Sequence, residues 1–340
     1  MKKSYFWMAA AATMFAACSQ NEVLNEVQVQ EEAQAIGFST FSNKATRAID
    51  ATNLEDYHET FGVWAYKTYE DNETEVMPNY MVMWNDANGN GTANWHYDGV
   101  TGTAKGQLLK YWDKRASYKF YAYAPYSPSV TINDSKVITI PQGEYAANEN
   151  MQTEFSTALN SNDFTGVGSG NNTQSTDWMI APVKSFGVGE HPLVEEQFSH
   201  TMSKLIVSLQ KKGISADVKI NSVSVNNVYG TGGYNTTDGW GNLGAAKSVA
   251  GQIGTIASNE VPHYSMEYLL IPSIYTPTFS VNYTINGDTY DVKDATITGI
   301  TNFNPNTVYA LTVTISADPI HFDAHVSSWE TEVSGSVTIE

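Results

Sequence analysis

Near the C-terminus, two histidines and an aspartate are spaced so that they could bind a metal ion. His321, Asp323 and His325 occupy alternate positions, so on a β-strand they would share one face. Two imidazoles and a carboxylate are suitable ligands for Zn²⁺. The other residues of Ile320–Val326 would form an apolar opposite face, which is the usual pattern of a half-buried strand. We therefore favour a structural strand over a zinc site, and we expect no cofactor.

A second candidate cation site begins at Asp86. The segment Asp86–Gly91 (DANGNG) has oxygen-bearing residues and glycine at the positions that open a calcium-binding loop, but Tyr97 stands where the closing glutamate belongs. Asparagine and glycine also form tight hairpin turns. We favour the turn, with calcium binding as the alternative.

Residues that could perform nucleophilic catalysis do not form a known motif. Ser199 and His200 are adjacent, which is not the arrangement of a catalytic triad. The glycine-rich segment Gly166–Gly170 matches neither a nucleophile elbow nor a dinucleotide-binding fingerprint. We expect a protein that is not an enzyme. The alternative is a surface hydrolase whose residues only the fold brings together.

The single cysteine, Cys18, ends an apolar N-terminal segment. Lys2 and Lys3 precede the run Tyr5–Ala17, which is almost entirely apolar and too short to span a membrane. We interpret residues 1–17 as a signal peptide. The small residues before Cys18 resemble a bacterial lipoprotein signal, which implies that Cys18 is acylated, with palmitate among the chains, and anchors an outer-membrane lipoprotein. The alternative is an ordinary secreted protein.

A leader that ends in a candidate cleavage site is expected between Cys18 and the body of the protein. Ser19–Gln34 is polar and acidic and would form a tether, whereas Ala35–Ser42 (AIGFSTFS) alternates like a strand. Arg47 then precedes Ala48 among small polar residues, which is a natural site for an arginine-specific protease. An incidental arginine in a linker is the alternative.

The composition indicates an acidic protein with a large apolar core. Among 340 residues there are 36 Asp and Glu but 18 Lys and Arg, so the formal net charge is −18. This argues against nucleic acid as a partner, because binding it needs a positive surface. Aromatic residues reach 12%, which provides ample surface to bury. With one cysteine, an intrachain disulfide and a four-cysteine metal site are excluded.

After Ala48 the sequence predicts short β-strands separated by Gly, Asn, Asp and Pro. The predicted strands are Phe61–Lys67, Met77–Trp84, Gln107–Trp112, Tyr118–Ala124, Val137–Ile140, Asp177–Pro182, Phe198–Gln210, Val218–Val228, Tyr268–Ile271, Thr278–Ile285, Thr289–Val292, Tyr309–Ile315 and Ile320–Val326. The best helix candidate is Asn148–Leu159. Many short strands with turn signals indicate an all-β protein of antiparallel β-sandwiches.

A break between two domains is predicted at Lys184–Gln197. This segment contains Gly, Pro and three Glu and shows no alternation. It divides the body into an N-terminal domain, 48–190, and a C-terminal domain, 191–340, each large enough to close its own core.

The glycine-rich segment Tyr229–Gly244 is predicted to be a surface hairpin or a contact loop. It carries two aromatic residues, Tyr234 and Trp240, that could serve either role.

The last residues of the chain alternate like a strand. Val333, Gly335, Val337 and Ile339 would share one face, and polar residues would share the other. Such a segment could pair with an open sheet edge in another molecule, as a donor strand. The alternative is the last strand of its own domain.

Several segments of the body resemble the fimbrillin family, whose members are subunits of type V pili on certain anaerobic Gram-negative bacteria. The segments are Trp112–Tyr126 (WDKRASYKFYAYAPY), Asp177–Ala181 (DWMIA), Phe198–Leu205 (FSHTMSKL), Phe303–Val313 (FNPNTVYALTV) and Ile320–Trp329 (IHFDAHVSSW). With the lipoprotein signal and the segment around Arg47, the resemblance extends over nearly the whole chain.

The resemblance implies two transthyretin-like antiparallel β-sandwich domains and a cell-surface fimbrial subunit that contributes to adhesion. It implies proteolytic maturation between Arg47 and Ala48, which removes residues 18–47 as a propeptide. A terminal strand of a neighbouring subunit then fills the vacated groove by donor-strand exchange. The expected partners are lipoprotein-processing enzymes, an arginine-specific protease, other fimbrial subunits and a host or bacterial surface receptor. The alternative is a monomeric surface lipoprotein, a tip adhesin or binding module, that binds glycan or a host protein.

Overall fold

The structure is a computed structural model that describes residues 34–41, 60–85, 94–98, 106–145, 147–149, 177–251, 253–257, 264–272, 274, 276–316 and 321–328. Every strand or helix assigned within these residues is a β-strand, which confirms the all-β fold class. Across the same residues there is no helix with the length and apolar character needed to cross a membrane.

The strands divide at about residue 200. Up to that point they are β1 (Phe38–Phe41), β2 (Thr60–Tyr69), β3 (Asn72–Asn85), β4 (Asn94–His96), β5 (Ser117–Ala124), β6 (Thr131–Ile132), β7 (Ile138–Glu144), β8 (Ala147–Glu149), β9 (Met179–Ile180), β10 (Lys184–Phe186), β11 (Val194–Gln197) and β12 (Ser199–His200). The later strands are β13 (Ser203–Lys212), β14 (Val218–Tyr229), β15 (Thr231–Asn235), β16 (Gly239–Gly241), β17 (Ala246–Ala250), β18 (Gly254–Ile256), β19 (Tyr264–Leu270), β20 (Thr278–Ile285), β21 (Asp288–Thr296), β22 (Thr307–Ser316) and β23 (His321–Ser328).

The first half of the chain is built on a seven-stranded antiparallel sheet. Its order is β12-β9-β5-β2-β3-β4, and β10 also pairs with β5. Two smaller sheets accompany it: β1 with β11, which is parallel, and β16-β15-β7-β6, which is antiparallel.

The burial pattern of β2 shows that the seven-stranded sheet is covered by other parts of the protein on both faces. Every residue of Phe61–Tyr66 is buried. Phe61 joins an apolar cluster that includes Phe38 of β1, whereas Trp64 joins a second cluster that includes Ile140 of β7. Because successive side chains of a strand point to opposite faces, a strand buried at every position must be covered on both faces.

The second half of the chain forms a β-sandwich. One sheet has the order β23-β22-β13-β19-β8, and the other has the order β17-β14-β20-β21 with β18 also paired to β14. Leu205 and Leu311 of the first sheet meet Val225 and Phe279 of the second in one buried cluster. Alternating apolar residues on the inner faces of two sheets are what hold such a sandwich together.

The two largest apolar clusters follow the two halves of the chain. The first has members from Ile36 to Phe198, and the second has members from Leu205 to Ile315. Val194 and Phe198, which the predicted boundary assigns to the C-terminal domain, join the first cluster. The division into domains 48–190 and 191–340 stays a prediction.

The strand prediction for Gln107–Trp112 is wrong. The Gln107 side chain takes the place of a backbone partner: Met81 N donates to Gln107 Oε1 at 2.7 Å, and Gln107 Nε2 donates to Met81 O at 2.9 Å. Leu108 and Leu109 are exposed. The pattern of residues predicts a strand here, but the side-chain amide of Gln107 makes the hydrogen bonds that a neighbouring strand would otherwise make with Met81 of β3.

The expectation that Lys184–Gln197 lacks strands is also wrong. The segment contains β10 and β11. In β11, Val194 and Glu196 are buried while Glu195 is exposed. The strand alternates, but an inward-facing glutamate conceals the alternation from a hydrophobicity pattern.

Three further predictions differ in detail. Asp177–Pro182 contains only the two-residue β9, and Phe198–Gln210 is interrupted at Thr201 and Met202 between β12 and β13. At the start of the predicted helix Asn148–Leu159, the described residues belong to β8, and residues 150–159 lie outside the described residues.

The Tyr229–Gly244 segment contains the predicted hairpin, formed by β15 and β16. Its aromatic residues pack inward rather than forming a free loop. The Trp240 ring centroid lies 5.6 Å from that of Tyr145, and Trp240 Nε1 donates to Thr201 O at 2.6 Å.

Candidate functional site

The candidate site is built around residues Gln34–Phe41, which we call the leader segment. On one side, β1 pairs in parallel with β11, and Val194 N donates to Gly37 O at 2.9 Å. On the other side, Ile36 N donates to Lys110 O at 2.8 Å, and Trp112 N donates to Gln34 O at 3.0 Å. The leader segment is therefore held by backbone hydrogen bonds to two separate parts of the chain.

The leader segment also supplies side chains to the core of the N-terminal half. Ile36 is 1% exposed and Phe38 is 5% exposed. The Phe38 ring makes edge contacts with Phe61, Tyr97 and Phe120 at centroid distances of 5.7, 5.8 and 6.0 Å. Full burial of each such side chain contributes about 1.5–3 kcal/mol.

A buried tyrosine fixes the position of the leader backbone. The Tyr97 hydroxyl donates to Ile36 O at 2.9 Å and accepts from Lys110 N at 3.1 Å. Burial raises the pKa of Tyr97 to about 12, so the hydroxyl keeps its proton at neutral pH. Tyr97 thus joins the leader segment to the chain beside it.

We call the surroundings of the leader segment the leader groove: β11 on one wall, Lys110–Trp112 on the other, and Phe61, Tyr97 and Phe120 as the floor. If the leader segment left, β11 would lose its β1 partner and the contacts of Ile36 and Phe38 would be vacated. An open strand edge beside an apolar channel binds another extended segment by backbone pairing and side-chain insertion. The arrangement is suited to strand exchange.

One wall of the leader groove carries a buried acid. Glu196 of β11 is paired in register with Thr40 of β1 and is 0% exposed. Among the residues that the structure describes, neither carboxyl oxygen of Glu196 has a hydrogen-bond partner. Burial raises the pKa of Glu196 to about 8, and the charge of Lys184 acts in the opposite direction.

His200, singled out in the sequence, forms a buried contact with Asp177. Its Nδ1 lies 2.8 Å from Asp177 Oδ2, within hydrogen-bond distance, and both side chains are almost fully buried. The neighbouring Thr201 donates from Oγ1 and from its backbone N to Trp178 O, at 2.9 and 2.8 Å. These contacts join β12 to the segment that precedes β9.

The residues predicted for lipidation, maturation and strand donation lie outside the described residues. They are Cys18, Arg47, Ala48, Val333, Gly335, Val337 and Ile339. The candidate calcium loop Asp86–Gly91 also lies outside them.

The predicted strand that carries His321, Asp323 and His325 is confirmed as β23, an edge strand paired with β22. The side chains of this strand are not among those that the structure describes. In the described part of the chain, no group of three or more His, Cys, Asp or Glu could hold a metal ion.

Sequence reasoning missed both walls of the leader groove. It predicted the leader strand but assigned Val194–Gln197 to a linker and Gln107–Trp112 to a strand. The one signal for β11 was a short alternation, in which Val194 and Glu196 are buried and Glu195 is exposed. This alternation can be recognised only if Glu196 is known to face inward. The parallel pairing of β1 with β11 spans too much sequence for a local pattern to reveal it.

Comparisons with known proteins identify relatives of this chain. A profile of the fimbrillin-like family matches residues 46–340. A fimbrial protein from Bacteroides vulgatus has a similar structure, with a TM-score of 0.55 at 14% identity, and the match covers 87% of this chain and 99% of that one. A candidate cell adhesion protein from Bacteroides ovatus gives a TM-score of 0.53 at 16% identity, over 88% and 99%. No curated protein matches the sequence.

Proposed function

This chain belongs to the fimbrillin-like family, and on that premise we propose that it is a structural subunit of a cell-surface fimbria. In this proposal the chain is exported as an outer-membrane lipoprotein through Cys18 and is matured by an arginine-specific protease at the Arg47–Ala48 bond. Subunits then polymerise by donor-strand exchange. The fibre contributes to adhesion.

The observation that carries the proposal is the way the leader segment is built into the core. Ile36 and Phe38 are buried, yet they belong to the piece that cleavage after Arg47 would detach. Cleavage would convert a covalently tethered strand into an exchangeable one. The loss of its backbone and apolar contacts would then favour association with a replacement strand.

The replacement strand that we propose is the tail of a neighbouring subunit. Val333, Val337 and Ile339 would enter the apolar sockets, with Gly335 on the same face between them. Its alternation matches that of the leader segment, in which Ile36 and Phe38 face inward.

The rival function is a monomeric binding module that uses aromatic loops. Tyr234 and Trp240 were the candidates for such a loop, but both pack against the body of the protein. This favours the fimbrial subunit over the binding module.

The proposal is tested by changing the cleavage site in cells that make the filaments. We expect Arg47→Ala to leave a surface lipoprotein that still begins at the acylated Cys18 and forms no filaments, as seen by N-terminal analysis and electron microscopy. Lys44→Ala, three residues away, serves as the matched control and should assemble normally. Deletion of Ser334–Glu340 should permit cleavage but abolish filaments. Filaments of normal length from either the Arg47→Ala protein or the shortened chain would contradict the proposal.

A further inference from the structure

The leader groove contains one feature that backbone pairing does not require, which is the buried side chain of Glu196. On β11, Val194 and Glu196 face inward and Glu195 faces solvent. The inward positions of the leader segment are Ile36 and Phe38, followed by Thr40 in register with Glu196. The groove therefore presents apolar sockets and then a carboxyl group.

The surroundings of Glu196 favour its neutral form while the leader segment is in place. The side chain is fully buried, and within the described part of the chain neither oxygen accepts or donates a hydrogen bond. Lys184 of β10 is the charged residue whose field acts on Glu196, and it only partly offsets the effect of burial, which leaves the pKa at about 8. Ionisation of a buried acid without a partner is costly, and that cost disappears when water reaches the group.

We propose that Glu196 determines how firmly the leader groove retains the leader segment after cleavage: in its neutral form it tolerates the threonine in register with it, in its ionised form it expels that segment, and a positively charged side chain placed at the position of Thr40 would offset the charge. This inference rests on the proposed function, because it concerns the exchange of strands in the groove.

The direction of the pH effect follows from the two states of the groove. A solvated Glu196 in an empty groove has an ordinary pKa near 4.3, whereas in the occupied groove its pKa is about 8. Between these values, raising the pH favours the empty groove, because the empty groove binds fewer protons. Retention of the leader segment should therefore be strongest in acid and should weaken as the pH rises towards 8.

Release of the cleaved N-terminal fragment, residues 18–47, can be measured directly, because Cys18 is the only cysteine of the sequence and accepts a fluorescent label. The chain from Cys18 to Glu340 is labelled and cleaved at Arg47 with an arginine-specific protease. Arg115→Lys is present in every variant, because Arg115 is the other arginine of the sequence. The fall in fluorescence anisotropy, with unlabelled fragment 18–47 in excess as competitor, gives the release rate at each pH.

We expect release to be at least tenfold faster at pH 8 than at pH 6 in the parent chain. Glu196→Gln should change less than twofold over that range and should release more slowly than the parent at pH 8. Glu195→Gln, the exposed neighbour on the same strand, is the matched control and should follow the parent. Thr40→Lys should slow release at pH 8, and Glu196→Gln in the same chain should remove that gain.

Two outcomes would overturn the inference, and they differ in what they say about the proposed function. A leader fragment that is retained, but whose release responds to pH equally in the parent and in Glu196→Gln, overturns the role of Glu196 and leaves strand exchange intact. A fragment that is not retained at any pH overturns both.

Discussion

At the scale of single residues, the leader groove depends on polar groups that hold an apolar strand in place. The Tyr97 hydroxyl bonds to the carbonyl of Ile36 in the leader segment and to the backbone N of Lys110 in the groove wall. Phe38 supplies apolar contact, but a hydroxyl at a fixed distance from the backbone is directional and so sets the register. Tyr97 therefore contributes specificity as well as stability.

Tyr97→Phe is expected to destabilise the unprocessed chain by about 1–3 kcal/mol, because Ile36 O and Lys110 N would lose a buried hydrogen-bond partner. Urea unfolding gives the free energy of unfolding. Tyr111→Phe, in which the tyrosine is 49% exposed, is the control and should stay within about 0.5 kcal/mol of the parent. Equal stabilities for the two variants would show that the Tyr97 hydroxyl does not hold the leader.

At the scale of elements, β2 contributes to two cores and leaves little space where it pairs with β5. Gly62 is paired in register with Tyr123. A β-carbon at residue 62 would lie 2.2–2.5 Å from atoms of the Tyr123 ring. The Tyr123 hydroxyl in turn lies within hydrogen-bond distance of two acceptors, Ser127 O at 2.6 Å and Asn79 Oδ1 at 2.8 Å. Because Gly62 has no side chain, the Tyr123 ring can pack directly against the backbone of β2.

Gly62→Ala should destabilise the protein by about 1–3 kcal/mol, because the Tyr123 ring must move away from its hydrogen-bond partners. Thermal and urea unfolding would both report the loss. Gly241→Ala is the matched control, since no atom of the described residues lies within 4 Å of the position of its added β-carbon. The packing argument fails if the two substitutions have the same effect.

At the scale of the whole molecule, charge opposes the assembly that we propose. The first 47 residues carry four basic and four acidic residues, so the formal net charge stays at −18 when residues 1–47 are removed. Subunits of like charge repel one another over a distance set by the ionic strength, about 30 Å at 0.01 M and about 8 Å at 0.15 M. Strand insertion must overcome this repulsion in each encounter.

The growth rate of filaments from processed subunits is therefore expected to rise roughly fivefold or more as NaCl increases from 0.01 to 0.15 M, measured by light scattering. The release of the cleaved leader from a single subunit is the internal control. Release does not bring two subunits together, so its rate should change much less with the salt concentration. Growth that slows as salt is added would mean that attractive surface charges guide assembly instead.

Much of the fold could be predicted, because a strand is recognised from the alternation of apolar and polar residues along a short stretch of sequence. The prediction for Thr278–Ile285 has the same bounds as β20, and the strands near Phe61, Tyr118 and Val218 were also predicted. The strand character of the leader segment was likewise clear from its alternating residues. Prediction failed where a polar side chain takes an unusual role, as Gln107 does at a sheet edge and as Glu196 does inside the groove.

The amino-acid sequence by itself determined which segments are extended, how acidic the protein is and which family it resembles, because these properties depend on nearby residues or on totals. Only the tertiary structure decided where the leader segment lies. Gln34 Nε2 donates to His191 O across 157 residues of sequence, and Glu196 meets Thr40 over a similar separation. The residue pattern of a segment predicts that it is a strand, but packing between distant parts of the chain determines which strand it pairs with. The leader groove therefore could not be predicted from local patterns alone.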